Sequence, residues 1–134
     1  MIVVKFGGTS VAGAEPINAA ADIVRGRLAR EPIVVVSALG GATNALLGLA
    51  AQAAEGQLIA AQSAVTQLRE RHLREGEALL AGDDAWPGVR AELEAHFDEL
   101  ERLAEALHTL GFTTPRALDA IAAKGELCSA LLCT

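Results

Sequence analysis

Ile2-Val3-Val4-Lys5-Phe6-Gly7-Gly8-Thr9-Ser10 opens the chain, and Pro32-Ile33-Val34-Val35-Val36-Ser37-Ala38-Leu39-Gly40-Gly41-Ala42-Thr43-Asn44 follows the same plan further on. Each is a short β-branched run that ends in a Gly-Gly loop. The second run alternates with nothing polar, and a strand apolar on both faces belongs in a parallel sheet covered by helices. Between the two runs, Pro16 sits where a first helical turn takes it, and Ile17, Ala20, Ala21, Val24 and Leu28 recur at helical spacing. Strand, helix and strand in this order make a βαβ unit, whose crossover is right-handed by rule.

Beyond the second loop the pattern is helical. A helix starting there carries Leu46, Leu47, Ala50 and Ala53 on one side. Leu58, Val65, Leu68, His72 and Leu79 form the next stripe, and Asp83-Asp84-Ala85-Trp86-Pro87-Gly88 breaks it. Val89, Leu93, Phe97, Leu100, Leu107 and Leu110 form another, so the two predict an antiparallel helical pair. Gly111 reads as a helix stop, and Thr114-Pro115 as the cap and first turn of a short helix through Leu118 and Ile121. Lys124-Gly125-Glu126 reads as an interruption, with Leu127, Ala130 and Leu131 opening a last helix.

The composition narrows the function classes. The 134 residues are enough for one small domain with a core, and 51% of them are hydrophobic, which excludes a disordered tail. Aromatics make up 3%, too few to read bases by stacking. The net charge of −6 argues against nucleic acid or an anionic membrane as partner. A phosphate site remains open, because it needs only local positive potential and backbone N–H groups. Cys128 and Cys133 lack Cys-x-x-Cys spacing and read as two reduced thiols on a partly buried helix. No signal-peptide pattern opens the chain and no apolar run approaches a membrane span. The expectation is a soluble, cytoplasmic protein without a metal centre of its own.

Ligands of parallel sheets sit at the carboxyl ends of the strands, where both glycine loops lie. Glycines let a backbone approach a ligand and turn its N–H groups inward. Lys5, at the end of an apolar strand, is costly to desolvate unless it faces an anion. The pattern is neither the dinucleotide fingerprint nor the P-loop. Spacing alone is equally compatible with two ordinary tight turns beside a snorkelling lysine. Thr43 reads as a natural N-cap, and Glu126 as a first-turn acid complementing a helix dipole. His72, His96 and His108 read as structural or solvent-facing, Asp83-Asp84 as turn chemistry, and the acids from Glu92 to Glu101 as a solvated helix face.

Three motifs in order carry a family resemblance. Lys5-Phe6-Gly7-Gly8-Thr9-Ser10-Val11 resembles the opening signature of aspartate kinases, Ser37 to Asn44 resembles their second motif, and Gly125-Glu126-Leu127-Cys128-Ser129 is similar to their third. The resemblance implies an α/β, three-layer amino-acid kinase fold: a mostly parallel sheet between helices, here incomplete and with a helix-rich second half. Residues 1–134 would be the N-terminal portion of a catalytic domain that continues, followed in the family by paired regulatory domains; on that reading the piece alone is expected to be inactive. It also implies phosphorylation of the side-chain carboxylate of L-aspartate by ATP, with Mg2+ bound through the nucleotide, as the first step of lysine, threonine and methionine biosynthesis. Lys5, Phe6, Gly7 and Gly8 would bind the ATP phosphates, with Lys5 catalytic. Thr43 and Glu126 would contact aspartate, with Ser37 close to both reactants. The full-length parent is expected to be a homo-oligomer.

Two other readings compete. One is a different amino-acid kinase, acting on glutamate, acetylglutamate, carbamate or a nucleoside monophosphate; Thr43-Asn44 and the Gly-Glu of the third motif favour aspartate. The other is a helical interaction module without activity. On the βαβ reading, the two Gly-Gly loops should lie side by side, with Lys5 pointing into their shared crevice.

Overall fold

The computed structural model describes residues 1–134. Strand β1 (Ile2–Phe6) pairs in parallel with β2 (Pro32–Val36), in a register running from Ile2 opposite Pro32 to Phe6 opposite Val36. Helix α1 (Ala14–Arg25) connects them, with a single 3-10 turn at Leu28–Arg30. Four helices follow: α2 (Ala42–Ala54), α3 (Leu58–Leu80), α4 (Trp86–Leu110) and α5 (Pro115–Cys133).

The sheet is covered on one face. Phe6, Val34 and Val36 point toward Ile17, Ala20 and Val24 of α1 and toward Cys133 at the end of α5, around a cleft of about 200 Å³. The other face carries Val3 and Lys5 beside their partners Ile33 and Val35, all exposed. The helix-rich half holds most of the core. Helix α2 is wedged among α3, α4 and α5, and Leu49, Val65, Leu93, Leu100 and Ile121 are fully buried there. Each such side chain contributes about 1.5–3 kcal/mol of burial free energy.

Helices α3 and α4 form the expected antiparallel pair. Gly76 of α3 lies under the Trp86 ring at the start of α4, a Cβ there being 2.6 Å from the indole. One end of the pair is thus fixed, and Arg69, two turns back on α3, meets Glu94, Asp98 and Glu101. These acids, together with Glu99 on Lys124, are therefore partly paired rather than the wholly solvated face the sequence predicts. Gly111 ends α4 at φ 76°, and the Thr114 hydroxyl accepts from the Ala117 N–H at 3.1 Å to cap α5. Asp83 accepts from the Ala85 N–H at 2.8 Å, as turn chemistry requires.

Four boundaries differ from the sequence reading. Helix α1 ends at Arg25, capped through Gly26, so Leu28 lies outside it and is exposed. Trp86 to Gly88 belong to α4, because a proline in the first turn sacrifices no helical hydrogen bond. Thr43 is not the cap of α2; Gly41 is, at φ 79°, and Thr43 stands exposed in the first turn. Lys124-Gly125-Glu126 interrupts nothing, since α5 runs unbroken from Pro115 to Cys133. Leu127 is accordingly exposed on the helix's outer side, and Glu126 sits in the middle of α5 rather than in the first turn of a new helix. No helix is long and apolar enough to cross a membrane.

Candidate functional site

Parallel pairing places the ends of β1 and β2 side by side, and the last ladder bond runs from the Ser37 N–H to the Phe6 carbonyl at 3.0 Å. The two loops then run against each other. A Cβ on Gly40 would lie 3.3 Å from the Gly8 carbonyl oxygen and 3.2 Å from the Ala12 methyl group. A side chain at Gly40 would crowd the loop after β1.

Helix α5 closes the third side. A Cβ on Gly125 would stand 3.0 Å from both the Ala38 Cβ and the Leu46 Cδ1. Its absence lets α5 press onto the β2 loop and onto α2, and it delivers Glu126, the next residue, to the loops' open side. The result is a crevice of about 270 Å³ lined by Gly8, the whole run Ser37 to Gly41, Thr43, Asn44 and Glu126.

The structure thus gathers Gly8, Ser37, Thr43 and Glu126 from three separate stretches. Phe6 is buried, its ring in the core behind the loops, so only its backbone is available to a ligand. Gly7 is exposed beside Gly8. Lys5 is not among the residues lining the crevice: strand alternation puts it on the bare sheet face, opposite the side of Val4 and Phe6, and no hydrogen bond or ion pair holds its ammonium.

The lining is chemically asymmetric. Glu126 is its one charged group; Thr43, Ser37 and Asn44 offer hydroxyls and an amide, and the first turn of α2 leaves free N–H groups. Such a set can take a zwitterion, with ammonium at Glu126 and carboxylate near the helix start.

Sequence reasoning missed the residues behind the crevice. Arg71 of α3 donates to the Gly40 carbonyl at 2.7 Å and to the Ala12 carbonyl at 2.9 Å. Glu75, one turn on, accepts from the Ala14 N–H at 2.8 Å at the start of α1. These partners lie far apart in sequence, and no local pattern announces them. Lys124 was also missed: it is buried, its ammonium on the Glu99 carboxylate and 3.3 Å from His96 Nδ1. Two residues before Glu126, it faces elsewhere on α5. His72 is a core residue, with Nδ1 2.7 Å from the Leu68 carbonyl, and burial lowers its pKa. The buried Cys128 thiol is pushed up to about 12 by desolvation, and Cys133 is raised for the same reason, so both are unreactive at neutral pH.

Comparison with known proteins places the chain in a family and a fold. The chain matches the amino acid kinase family over residues 1–134. It is 36% identical over 133 residues to lysine-sensitive aspartokinase 3 of Escherichia coli (strain K12), covering 98% of this chain and 27% of that one. It is 32% identical over 128 residues to the chloroplastic bifunctional aspartokinase/homoserine dehydrogenase 1 of Zea mays, covering 94% of this chain and 14% of that one. Two crystal structures of E. coli aspartokinase III superpose on it, each covering 98% of this chain and 27% of the other. One, with lysine and aspartate in the T-state, gives a TM-score of 0.80 at 34% identity. The other, with aspartate and ADP in the R-state, gives 0.71 at 31%. The chain therefore spans about a quarter or less of the length of these relatives.

Proposed function

This chain belongs to the amino acid kinase family, and from that premise we propose that its crevice holds L-aspartate while ATP phosphorylates the side-chain carboxylate. The observation that carries the reading is the convergence of Gly8, Ser37 to Asn44 and Glu126 on one opening at the strand ends. That the similar crystal structures contain aspartate, and one of them ADP, favours this ligand pair.

The chemistry asks little of the protein beyond placement. An aspartate carboxylate, with a pKa of about 3.9, is already an anion at neutral pH, so no general base is required. The work is to hold two anions in line and to offset charge on the transferring phosphoryl group. In this assignment Glu126 takes the α-ammonium, and Thr43 with the first-turn N–H groups of α2 takes a carboxylate. Ser37 stands between the reactants. The Gly7-Gly8 backbone faces the nucleotide phosphates, and Lys5 adds positive charge at the neighbouring strand end. Glu126 is the one carboxylate in the lining, so these residues form no cage for a divalent cation; Mg2+ would arrive on the nucleotide.

The test is a titration of the chain with L-aspartate and with succinate, which lacks the ammonium. Wild type should prefer aspartate, and Glu126→Gln should lose that preference while still binding succinate. Equal preference in the two proteins would refute the assignment.

A further inference from the structure

Beyond the strand ladder, no backbone hydrogen bond joins the β1 loop to the β2 loop. The connection that does join them comes from α3. One guanidinium nitrogen of Arg71 donates to Gly40 in the β2 loop, and the other donates to Ala12 in the loop after β1. The planar fork fixes both bonds at once, which a lysine ammonium on a flexible stem does not do. Arg71 lies half-buried behind the loops and does not line the crevice.

The fork also decides which way a peptide faces. Every peptide bond in the chain is trans, and across a trans peptide the carbonyl and the following N–H point in opposite directions. With the Gly40 carbonyl turned back onto Arg71, the Gly41 N–H is turned forward, toward the side where Gly41 lines the crevice. Gly41 adopts φ 79°, a left-handed backbone that leaves this peptide no side chain to steady it.

We propose that Arg71 is a positioning residue for the crevice: by tying Gly40 and Ala12 together it couples the two strand-end loops and aims the Gly41 N–H at a bound carboxylate. The identity of that carboxylate as L-aspartate rests on the function proposed above; the coupling itself does not. Glu75 offers an internal control, because it anchors α1 through Ala14 from the same face of α3 without touching Gly40.

The experiment records amide NMR spectra of the isotopically labelled chain and of Arg71→Met, Arg71→Lys and Glu75→Ala, each titrated with L-aspartate. Arg71→Met should move the Gly41 and Gly8 amide signals and weaken aspartate binding about tenfold, the cost of one lost hydrogen bond to a charged group. Arg71→Lys, which can serve one carbonyl but not both, should recover part of the affinity. Glu75→Ala should lower the melting temperature yet leave the Gly41 signal in place and the affinity within about twofold, since Glu75 bonds Ala14 and neither Gly40 nor Ala12. A cooperatively folded Arg71→Met with wild-type Gly41 and Gly8 signals would overturn the proposal, as would a Glu75→Ala that moves the same signals as far. Should Arg71→Met not fold, an Arg71→Lys spectrum unchanged at Gly41 and Gly8 would overturn it equally. A wild-type chain whose crevice amides ignore L-aspartate would instead refute the proposed function, and the shift of Gly41 without ligand would still decide the role of Arg71.

Discussion

Gly125 sits in the interior of α5, where helix propensity favours alanine by about 1 kcal/mol, so Gly125→Ala would stabilise the protein if the helix were all that mattered. The packing argues the opposite. The new methyl carbon would stand 3.0 Å from the Ala38 Cβ and 3.0 Å from the Leu46 Cδ1, against the ~3.5–4.0 Å at which carbon atoms rest. Leu46 is buried and has little room to swing, and Ala38 is buried and fixed to the backbone of the β2 loop. Overpacking of this kind costs about 1–3 kcal/mol. Two such contacts at once put the cost in the upper part of that range, about 2–3 kcal/mol; less the propensity gain of about 1 kcal/mol, the net loss is about 1–2 kcal/mol, or roughly 3–8 °C in melting temperature for a chain of this size.

Gly48 supplies the comparison. It lies inside α2 with nothing within 4 Å of an added Cβ, so Gly48→Ala should gain up to about 1 kcal/mol. Thermal and urea denaturation of the two variants should thus move in opposite directions. The amide signals of Ala38 to Gly41 should shift in Gly125→Ala alone, because the loop must retreat from the new methyl. A Gly125→Ala as stable as wild type would refute the claim that α5 is seated on the loop through this missing side chain.

Three further outcomes follow from where charged and titratable groups lie. The Cys128 thiol, about 12 in the folded chain against roughly 8.5 when unfolded, keeps its proton longer when folded; stability should be full below about pH 8.5 and decline as pH rises toward 12, and the native thiols should resist labelling at pH 8 until denaturant is added. The pKa of His72 is lowered chiefly by burial, so the opposite sign applies: stability present above about pH 6.5 should fall as the pH drops below it, and His72→Gln should flatten that slope in acid titrations of the melting temperature. Lys5 is the one charge on a bare face shared with Val3, Ile33 and Val35, where it opposes face-to-face contact between copies; sedimentation velocity should show stronger self-association for Lys5→Leu than for wild type, and unchanged sedimentation would refute this.

Much of this was legible in the sequence because it is local. Strand runs, helical stripes, the Gly111 stop and the Thr114 cap depend on neighbours a few residues away, and they appear where periodicity puts them, except that Leu28 falls beyond α1 and no break divides α5. The pairing of the Gly-Gly loops was also legible, since a parallel βαβ unit brings strand ends together whatever else the chain does. What failed was the meaning of residues whose partners are distant. Gly125 looks like a helix break to a propensity argument, yet the contact that needs it is with Ala38 and Leu46. Lys5 was expected in the crevice because an anion site wants a cation there, but strand alternation turns it to the other face. Arg71 carries no local signal at all, being one of several arginines on a long amphipathic helix until its two carbonyls are in view.

The crevice is shaped as much by missing side chains as by those present. A Cβ at Gly8 would touch the Ala38 carbonyl at 3.5 Å, one at Gly40 would crowd Ala12 and Gly8, and one at Gly125 would strike Ala38 and Leu46. Three elements meet at one point, and the β2 loop and α5 come close by giving up a side chain. Backbone then lines much of the opening beside Ser37, Thr43, Asn44 and Glu126, and its N–H groups would need no reorganisation for an anion. Such a surface depends on something rigid holding its backbone from outside, because glycine supplies no stiffness of its own. In this chain that support is the fork of Arg71 behind one pair of loops and the seat of α5 on Ala38 in front. A loss of either should therefore disturb the crevice directly, whatever it also costs the fold.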